Sequence, residues 1–269
     1  MTLPDPTTDP GRAALRRLLD APGSALLVTD YDGTLAPIVL DPREAYAAPG
    51  AADALRALAD RLRGVAVLTG RPVSDVLRLS DLGRVPGLLV LGRYGLERWS
   101  GGAVAEPVRP PEIDVAHDVL EVLVTGEVGV TLEDKGTALA VHTRGAPDPQ
   151  DAFDRLRAAV AAVASAGGLV LEPGRLVLEV RVPGPDKGQA IDQLVAEVAP
   201  GVVVFLGDDA GDLPAFAALE RLRSAGDVVA LLVASSSVEE PRVALAADLV
   251  LAGPAAVVAF LAALAAALA

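Results

Sequence analysis

The chain has 269 residues, of which 52% are hydrophobic, and this is enough for one large domain or for a domain that carries an insertion. Its net charge of −13 argues against nucleic acids and anionic membranes as partners, and it opposes the approach of any anionic substrate. The absence of cysteine excludes disulfides, thiolate nucleophiles and Cys-based metal sites, and it fits the reducing cytoplasm in which we expect the protein to act.

The two ends of the chain raise the question of targeting and membrane segments. Residues 1–11 have no basic region followed by an apolar one, so we expect a flexible tail rather than a signal peptide. Leu249–Ala269 carries no charge and is long enough to span a bilayer. Because Gly253 and Pro254 lie near its start, we predict instead a short strand and then a helix that opens at Pro254 and packs on the core.

Apolar strands alternate with helices in the first part of the chain. The spacing of apolar residues and of Gly and Pro predicts helices at residues 12–20, 49–63 and 72–83 and strands at 25–30, 64–70 and 87–92. Strands that are apolar throughout and separated by helices are typical of a parallel sheet covered on both faces.

The pattern changes after a Pro-rich joint at residues 106–112. From there the strands alternate between apolar and polar residues, as at 128–135, and the block is predicted to run helix, two strands, helix, two strands. A turn at residues 172–175 separates the last two strands. A second joint at residues 182–188 closes the block. The first pattern then resumes with a helix at 187–198 and a buried strand at 201–207, and further strands are predicted at 227–233 and 248–252.

Together these patterns predict an α/β protein with a doubly wound, Rossmann-like parallel sheet. The core would comprise residues 12–106 and 184–269, and residues 107–183 would form an inserted α+β cap domain.

Polar side chains collect where the predicted core strands end. In open α/β sheets ligands bind beyond the carboxyl ends of the strands, so these side chains are expected to share one site. They are Asp30 and Asp32, Thr69 and Arg71, Asp208, Asp209 and Asp212, together with Lys187 at the start of the helix before the last of these strands.

Each motif also has a plain explanation when it is taken alone. Asp-Gly in "DYDG" is a common turn, "TGR" is too short to be specific, and "GDDAGD" could be a solvated acidic loop. A calcium loop is excluded, because Gly33 comes too early and no bidentate Glu follows at the twelfth position. The presence of these three motifs together with Lys187, each after an apolar strand or at a helix start, favours a shared site.

Several carboxylates at one sheet edge predict a Mg²⁺ site. Asp30 and Asp208 are the expected direct side-chain ligands, and Asp212 is a further ligand, directly or through water. Asp32 is counted with this site, although its side chain is expected to lie off the metal.

The remaining polar groups suit a phosphate. Lys187 is a compact cation for a phosphate oxygen, and the Thr69 hydroxyl can donate to the same group. In the absence of Cys, Asp30 would attack phosphorus in line, with Lys187 and the metal offsetting the acidic field. Asp32 would protonate the leaving oxygen and then activate water for the second step.

Four stretches carry a family resemblance. "DYDGTL", "LTGR", "DKGQAI" and "FLGDDAGD" resemble the motifs of the haloacid dehalogenase-type phosphatases. More narrowly, "GRYGLE", "LEDKGTALAVHTR" and "LEVRVPGPDKGQA" resemble stretches of the trehalose-6-phosphate phosphatase family. The resemblance covers residues 24–220 and implies a Mg²⁺-dependent hydrolase that releases phosphate from trehalose 6-phosphate, with the inserted block as a mobile lid.

The resemblance also implies substrate-binding residues. In the cap they are Glu133, Lys135 and Glu179, and in the core they are Gly70, Arg71 and Tyr94. Glu133 and Lys135 are two residues apart and would share one strand face. The alternative for the cap residues is a solvated face with an ordinary cross-strand charge pair.

The chain departs from the family pattern in two places. Residues 211–214 read Gly-Asp-Leu-Pro where the family usually continues Thr-Asp-Glu, which removes a hydroxyl and an acid. Arg93 and Tyr94 stand where Asn-His is common, so the substrate is less firmly indicated than the reaction. His142 keeps the family's position, with a core role and a substrate contact both open.

Three other functions are compatible with these motifs. They are a phosphatase of another sugar phosphate, such as sucrose phosphate or a glycosyl-phosphoglycerate, a sugar phosphomutase, and an inert sugar-phosphate sensor. The intact set of Asp30, Asp32, Lys187 and Asp208 argues against the sensor. A sugar phosphate is the expected partner; the sequence allows a monomer and does not indicate whether a synthase binds.

Overall fold

The computed structural model describes residues 3–39, 41–105, 109–174, 176–184, 186–236 and 241–269. The chain divides into two compact units, residues 1–105 with 185–269 and residues 106–184. The elements in chain order are α1 (Asp9–Asp20), β1 (Ala25–Thr29), α2 (Ala51–Ala59), β2 (Gly64–Leu68), α3 (Val73–Arg78), β3 (Leu88–Gly92), β4 (Glu97–Ser100), β5 (Ala103–Ala105), α4 (Pro111–Val124), β6 (Thr131–Asp134), β7 (Ala138–His142), α5 (Pro149–Ala166), β8 (Val170–Gly174), β9 (Val177–Arg181), α6 (Lys187–Val198), β10 (Val202–Gly207), α7 (Leu213–Ala225), β11 (Val229–Ser235), α8 (Pro241–Ala246), β12 (Leu249–Leu251) and α9 (Gly253–Ala267).

The described residues of the first unit form an eight-stranded sheet in the order β12-β11-β10-β1-β2-β3-β4-β5. The strands from β12 to β3 are parallel, and β4 and β5 add an antiparallel hairpin at one edge. Chain order moves outward from β1 in both directions, which is the doubly wound arrangement and places a topological switch point beside β1.

Both faces of this sheet are covered. β1 and β10 are buried along their whole length. On one face Leu27 packs in a cluster with residues of α1, α2 and α9, and on the other face Leu26 packs with residues of α6, α7 and α8. Near the second cluster's centre the rings of Phe205 and Phe216 meet edge to face at 5.4 Å. Burial on both faces explains why these strands are apolar at every position.

The second unit is an antiparallel sheet in the order β6-β7-β9-β8, with α4 and α5 packed on one face. Leu139, Val141, Leu178 and Val180 point into that core, while the alternate positions form the polar face. The predicted run of helix, two strands, helix, two strands is therefore confirmed, as is the α/β fold class with an α+β insertion.

Several boundaries differ from the predictions. The hairpin of β4 and β5 was not predicted, because these strands have only four and three residues and give no clear apolar pattern; Trp99 of β4 is buried, and all of β5 is exposed. The first strand of the second unit begins at Thr131, so Val128 lies outside it and is exposed. The two predicted joints and the predicted turn include residues 106–108, 185 and 175, which lie outside the described residues.

The C-terminal segment forms the short strand β12 and then α9, which starts at Gly253, one residue before the predicted start. Val257, Leu261 and Leu264 of this helix are fully buried in the first unit's core. Among the described helices, none combines the length and the apolar character needed to cross a membrane.

A buried carboxylate ties the N-terminal segment to this unit. Residues 9–11, counted with the flexible tail in the sequence prediction, are the first turn of α1, and Thr7 N–H donates to Asp248 O at 2.7 Å. The Asp248 side chain, 2% exposed, accepts from Arg223 Nη1 at 2.9 Å, from Leu232 N–H at 2.9 Å and from the Thr8 hydroxyl. A single side chain thus connects α1, α7, β11 and β12.

We predict that Asp248→Ala lowers the free energy of unfolding by about 3 kcal/mol, because it leaves a buried N–H and a largely buried guanidinium without their partner. Asp192→Ala is the matched control, since it removes an exposed carboxylate that pairs with Arg221, and it should cost no more than about 0.5 kcal/mol. Urea unfolding of both variants provides the measurement. Equal shifts in the two would contradict a structural role for Asp248.

Candidate active site

The loop that follows β1 is fixed by close backbone packing. Asp30 directly follows the strand, and its N–H donates to Leu206 O of β10 at 2.8 Å. Gly33 has φ +69°, and a Cβ at this position would lie 1.9 Å from Asp208 Oδ2. Ser235 at the end of β11 donates its hydroxyl to Gly33 O at 2.6 Å. Only glycine therefore allows the loop to lie against the loop after β10.

A buried lysine connects two carboxylates. Lys187 Nζ lies 2.7 Å from Asp30 Oδ1 and 2.7 Å from Asp212 Oδ1, and the three side chains are 4%, 6% and 0% exposed. Lys187 is the first residue of α6, which Asp186 caps by accepting from Gln189 N–H at 2.8 Å. The helix start thus delivers a positive charge between the ends of β1 and β10.

The loop after β10 folds around Asp212. Asp212 Oδ2 accepts from the N–H groups of Asp208 at 2.8 Å and Asp209 at 3.1 Å, and Asp212 Oδ1 accepts from Lys187. Both oxygens of Asp212 therefore already have partners. Asp208 Oδ1 accepts from the Thr34 hydroxyl at 3.3 Å.

The electrostatics of this cluster favour a bound cation. Burial raises the pKa of Asp30 well above its usual range, and this outweighs the opposing effect of Lys187. Burial and the charge of Asp212 raise the pKa of Asp208 to about 7. For Lys187 burial opposes the charged form, but Asp30 and Asp212 outweigh it and raise its pKa. One buried lysine thus leaves the negative charge of three buried acids incompletely balanced.

Three of these acids could hold a metal ion. Asp30, Asp208 and Asp212 each offer a carboxylate oxygen within 4.8 Å of the others. A donor set made only of oxygen atoms suits a hard divalent cation, which would supply the missing positive charge. Asp30 and Asp208 are the better candidates for direct metal ligands, because both oxygens of Asp212 already accept hydrogen bonds.

Asp32 has a different partner from Asp30. Arg71 Nε lies 2.6 Å from Asp32 Oδ2, and Arg71 Nη2 lies 2.7 Å from Asp32 Oδ1, so the pair is bidentate. The side chains are 31% exposed for Asp32 and 13% exposed for Arg71. Two acids that are two residues apart are therefore separated by binding to two different cations.

Thr69 and Gly70 form the turn after β2. Thr69 is buried, and its hydroxyl accepts from Arg71 N–H at 3.2 Å. Thr69 O accepts from Tyr94 N–H at 2.8 Å, and a Cβ on Gly70 would lie 2.7 Å from the Tyr94 hydroxyl. The Tyr94 side chain therefore lies directly against Gly70.

The loop that carries Tyr94 adopts left-handed backbone angles, with φ +48° at Arg93 and +60° at Tyr94. Glu97 stabilises this conformation, because one of its oxygens accepts from Arg93 Nε at 2.7 Å and the other from Val73 N–H at 2.7 Å. The residues with these strained backbone angles, Arg93 and Tyr94, are the two that stand where the family commonly has Asn-His.

These elements enclose a cavity of about 430 Å³. The predicted residues that line it are Asp30, Asp32, Thr69, Gly70, Arg71, Tyr94 and Lys187. Asp208 and Asp212 do not line it; they are buried beside Asp30 and Lys187.

The cavity is also lined by residues for which the sequence analysis proposed no catalytic, metal-binding or substrate-binding role, although it placed Asp209 at the shared site. Asp209 and Gly211 lie on its acidic side, while Ile38 and Val39 form an apolar rim, with Ile38 61% exposed. The apolar "PIV" directly after "DGTLA", with no periodic pattern to place it in a core, is the sequence signal that could have identified this rim.

The three predicted cap residues share the polar face of the second unit's sheet. Glu133 on β6 is opposite Ala140 on β7, which is in turn opposite Glu179 on β9. Lys135 Nζ donates to Glu179 Oε2 at 2.7 Å. His142 also lies on this face, where its Nε2 is 2.7 Å from Glu133 Oε2, so it is not a core residue.

Comparison with known proteins gives the family. The model of the trehalose-phosphatase family matches residues 28–252. A trehalose-phosphate phosphatase of Mycobacterium tuberculosis is 34% identical over 198 residues, which is 70% of this chain and 49% of that protein. A trehalose-6-phosphate phosphatase of Escherichia coli is 32% identical over 200 residues, 72% of this chain and 73% of that protein.

Another relative, described as an uncharacterised glycosyl hydrolase of Mycobacterium tuberculosis, is 34% identical over 233 residues, which is 80% of this chain and 17% of that protein. The chain thus spans half or less of the length of several curated relatives that it matches. The solved structure of an Aspergillus fumigatus trehalose-6-phosphate phosphatase aligns with a TM-score of 0.64 at 25% identity, over 98% of this chain and 99% of that one. Since the family model covers most of the sequence, and the fold and the motif residues agree with it, this chain belongs to the trehalose-phosphatase family.

Proposed function

We propose that this chain is a Mg²⁺-dependent phosphatase that hydrolyses trehalose 6-phosphate to trehalose and phosphate. The observation that carries the proposal is the buried cluster in which Lys187 bridges Asp30 and Asp212, with Asp208 alongside, next to a cavity at the carboxyl edge of a parallel sheet. The family membership and the mycobacterial and E. coli relatives, which are trehalose-phosphate and trehalose-6-phosphate phosphatases, support the choice of substrate.

The chemistry starts at Asp30. Its Oδ1 is 2.7 Å from Lys187 Nζ, and the other oxygen is available to attack phosphorus. Attack forms an aspartyl phosphate and breaks the bond from phosphorus to the sugar oxygen, which takes a proton from the carboxyl group of Asp32. Lys187 donates to a phosphate oxygen, and the Thr69 hydroxyl can do so from the other side.

The second step returns Asp30 to its starting form. Asp32, now a carboxylate, takes a proton from a water molecule whose oxygen attacks the phosphorus of the aspartyl phosphate. The bond from Asp30 to phosphorus breaks and phosphate leaves. Asp32 lines the cavity and is partly exposed, so it can reach both the leaving oxygen and the water.

Mg²⁺ would be held by Asp30 and Asp208, with Asp212 positioning the loop or binding through water. Bound there, it would offset the negative charge of the cluster and of the incoming phosphate. This balance lets an acidic site in an acidic protein accept a dianion.

The second unit would supply sugar recognition. Glu133, Lys135 and Glu179 place two acceptors and a donor on one polar sheet face, and such groups suit the hydroxyls of a disaccharide. In the core, Gly70, Arg71 and Tyr94 are proposed to border the substrate.

One observation favours a second candidate substrate. Tyr94, which replaces the usual family residue, lies against Gly70 at the cavity. A bulky ring there could select another sugar phosphate, such as sucrose phosphate or a glycosyl-phosphoglycerate, with the same chemistry.

We predict that Asp30→Asn lowers kcat by at least about 10⁴-fold without unfolding the protein, because the amide is a poor nucleophile. Asp53→Asn, at an exposed carboxylate of α2 with 82% of its side chain accessible, should leave kcat unchanged. Phosphate release and circular dichroism are measured for both. Acid quenching of the wild type with radiolabelled substrate should trap a phosphoenzyme that Asp30→Asn lacks; retained turnover in that variant would remove Asp30 as nucleophile.

Removal of the metal should stop catalysis reversibly. EDTA is expected to abolish phosphate release and added Mg²⁺ to restore it, and Asp208→Asn should raise the Mg²⁺ concentration for half-maximal activity at least about tenfold. Asp227→Asn, at an exposed carboxylate outside the cluster, serves as the control. Titration calorimetry with Mg²⁺ gives the same comparison without turnover, and full activity in EDTA would refute the metal site.

A substrate panel tests the sugar. We expect kcat/KM for trehalose 6-phosphate to exceed that for sucrose 6-phosphate, glucose 6-phosphate and a glucosyl-phosphoglycerate at least about tenfold, because a polar face that matches the hydroxyls of one disaccharide leaves polar groups unpaired with another. Free phosphate and isomeric sugar phosphate are quantified together. A tenfold preference for another member would reject trehalose 6-phosphate, and an isomer without phosphate release would indicate a mutase.

A further inference from the structure

Arg71 was expected from the sequence to bind substrate, but its guanidinium is already engaged. Nε and Nη2 donate to the two oxygens of Asp32 at 2.6 and 2.7 Å. The two residues are 39 positions apart and come from different loops at the same sheet edge. A parallel pair of hydrogen bonds fixes both the position and the plane of a carboxylate, which a single bond does not.

Arg71 is itself held from two further directions. Its Nη1 donates to Pro42 O at 2.8 Å, and its guanidinium carbon lies 5.8 Å from the centre of the Tyr31 ring. Tyr31 is fully buried, and its hydroxyl lies 3.0 Å from Ala45 O and 3.1 Å from Leu79 O. The fork that holds Asp32 is thus attached to the packed interior of the domain.

The nearby acids make such a fork necessary. Asp30 is two residues away and is bound to Lys187, and the metal ligands Asp208 and Asp212 lie beside it. An Asp32 side chain without its own partner could turn toward the same lysine or the same cation, where it could no longer reach the leaving oxygen. Lys187 offers a point charge to several oxygens, whereas Arg71 offers a planar fork to one carboxylate.

We propose that Arg71 is a positioning residue that holds Asp32 for proton transfer, and that its contribution to the reaction passes through Asp32 and not through direct binding of substrate. This inference rests on the proposed phosphatase function.

The proposal predicts a defined division between kcat and KM. Arg71→Gln should lower kcat for the sugar phosphate about 10- to 100-fold, a part of the 10²–10⁴-fold that general acid–base catalysis usually contributes, with KM changed less than about threefold. The kcat of Arg71→Lys should lie between the kcat of Arg71→Gln and that of the wild type. Arg78→Gln is the matched control, because this arginine of α3 is half-exposed and does not line the cavity.

A double-mutant cycle with Asp32→Asn separates positioning from substrate binding. p-Nitrophenyl phosphate is the probe, because its leaving group departs without a proton, so that Asp32 affects its steady-state turnover only through the second step, in which Asp32 activates water. If Arg71 acts through Asp32, adding Arg71→Gln to Asp32→Asn should change the rate less than about twofold. The same factor in both backgrounds, or a tenfold rise in KM with kcat unchanged, would overturn the proposal.

The cycle remains decisive if other expectations fail. If Arg71→Gln does not fold, as judged by circular dichroism, the same cycle is run with Arg71→Lys, which keeps the charge but not the fork. If the wild type hydrolyses p-nitrophenyl phosphate but not trehalose 6-phosphate, the proposed substrate is wrong while the coupling of Arg71 to Asp32 is still measured.

Discussion

The structure of the site depends on one interaction, the contact of Lys187 with Asp30 and Asp212. A lysine removed from water would lose its charge if it had no anionic partner, and buried carboxylates would take up protons. Held 2.7 Å from both acids, the lysine keeps its charge, and the ends of β1 and β10 are joined through it. The exact placement of α6 therefore matters as much to the site as the acids themselves.

Around this contact, each acidic side chain of the site has its own binding partner. Asp30 binds the lysine, Asp32 binds the Arg71 fork, and Asp212 binds the lysine and two backbone N–H groups. Among the described residues, Asp208 accepts one long side-chain bond, from Thr34, and burial raises its pKa to about 7, so a cation beside it would stabilise its charged form. The like charges of Asp30 and Asp32 are thus separated, because the two carboxylates bind different cations.

In the second unit, charged side chains are likewise paired on one face of the sheet. Its polar side pairs Lys135 with Glu179 and His142 with Glu133, whereas the opposite side is packed under two helices. Exposed pairs of this kind contribute little to stability, which is consistent with the proposal that this face binds a polar ligand.

The sequence by itself determined the fold class, most helices and strands, and which residues follow the core strands, because apolar period, Gly and Pro are local signals that survive without tertiary contacts. It also determined that Lys187 would open a helix. The tertiary structure alone decided the partners: Arg71 for Asp32, both oxygens of Asp212, and the anchoring of the N-terminal residues to Asp248. The side-chain pairs Lys187–Asp212, Arg71–Asp32 and Thr8–Asp248 join segments from 25 to 240 positions apart, whereas the backbone partners of Asp212 Oδ2 are three and four positions away. Strand order and helix packing determine which of these distant segments meet. The spacing of residues along the chain does not indicate it.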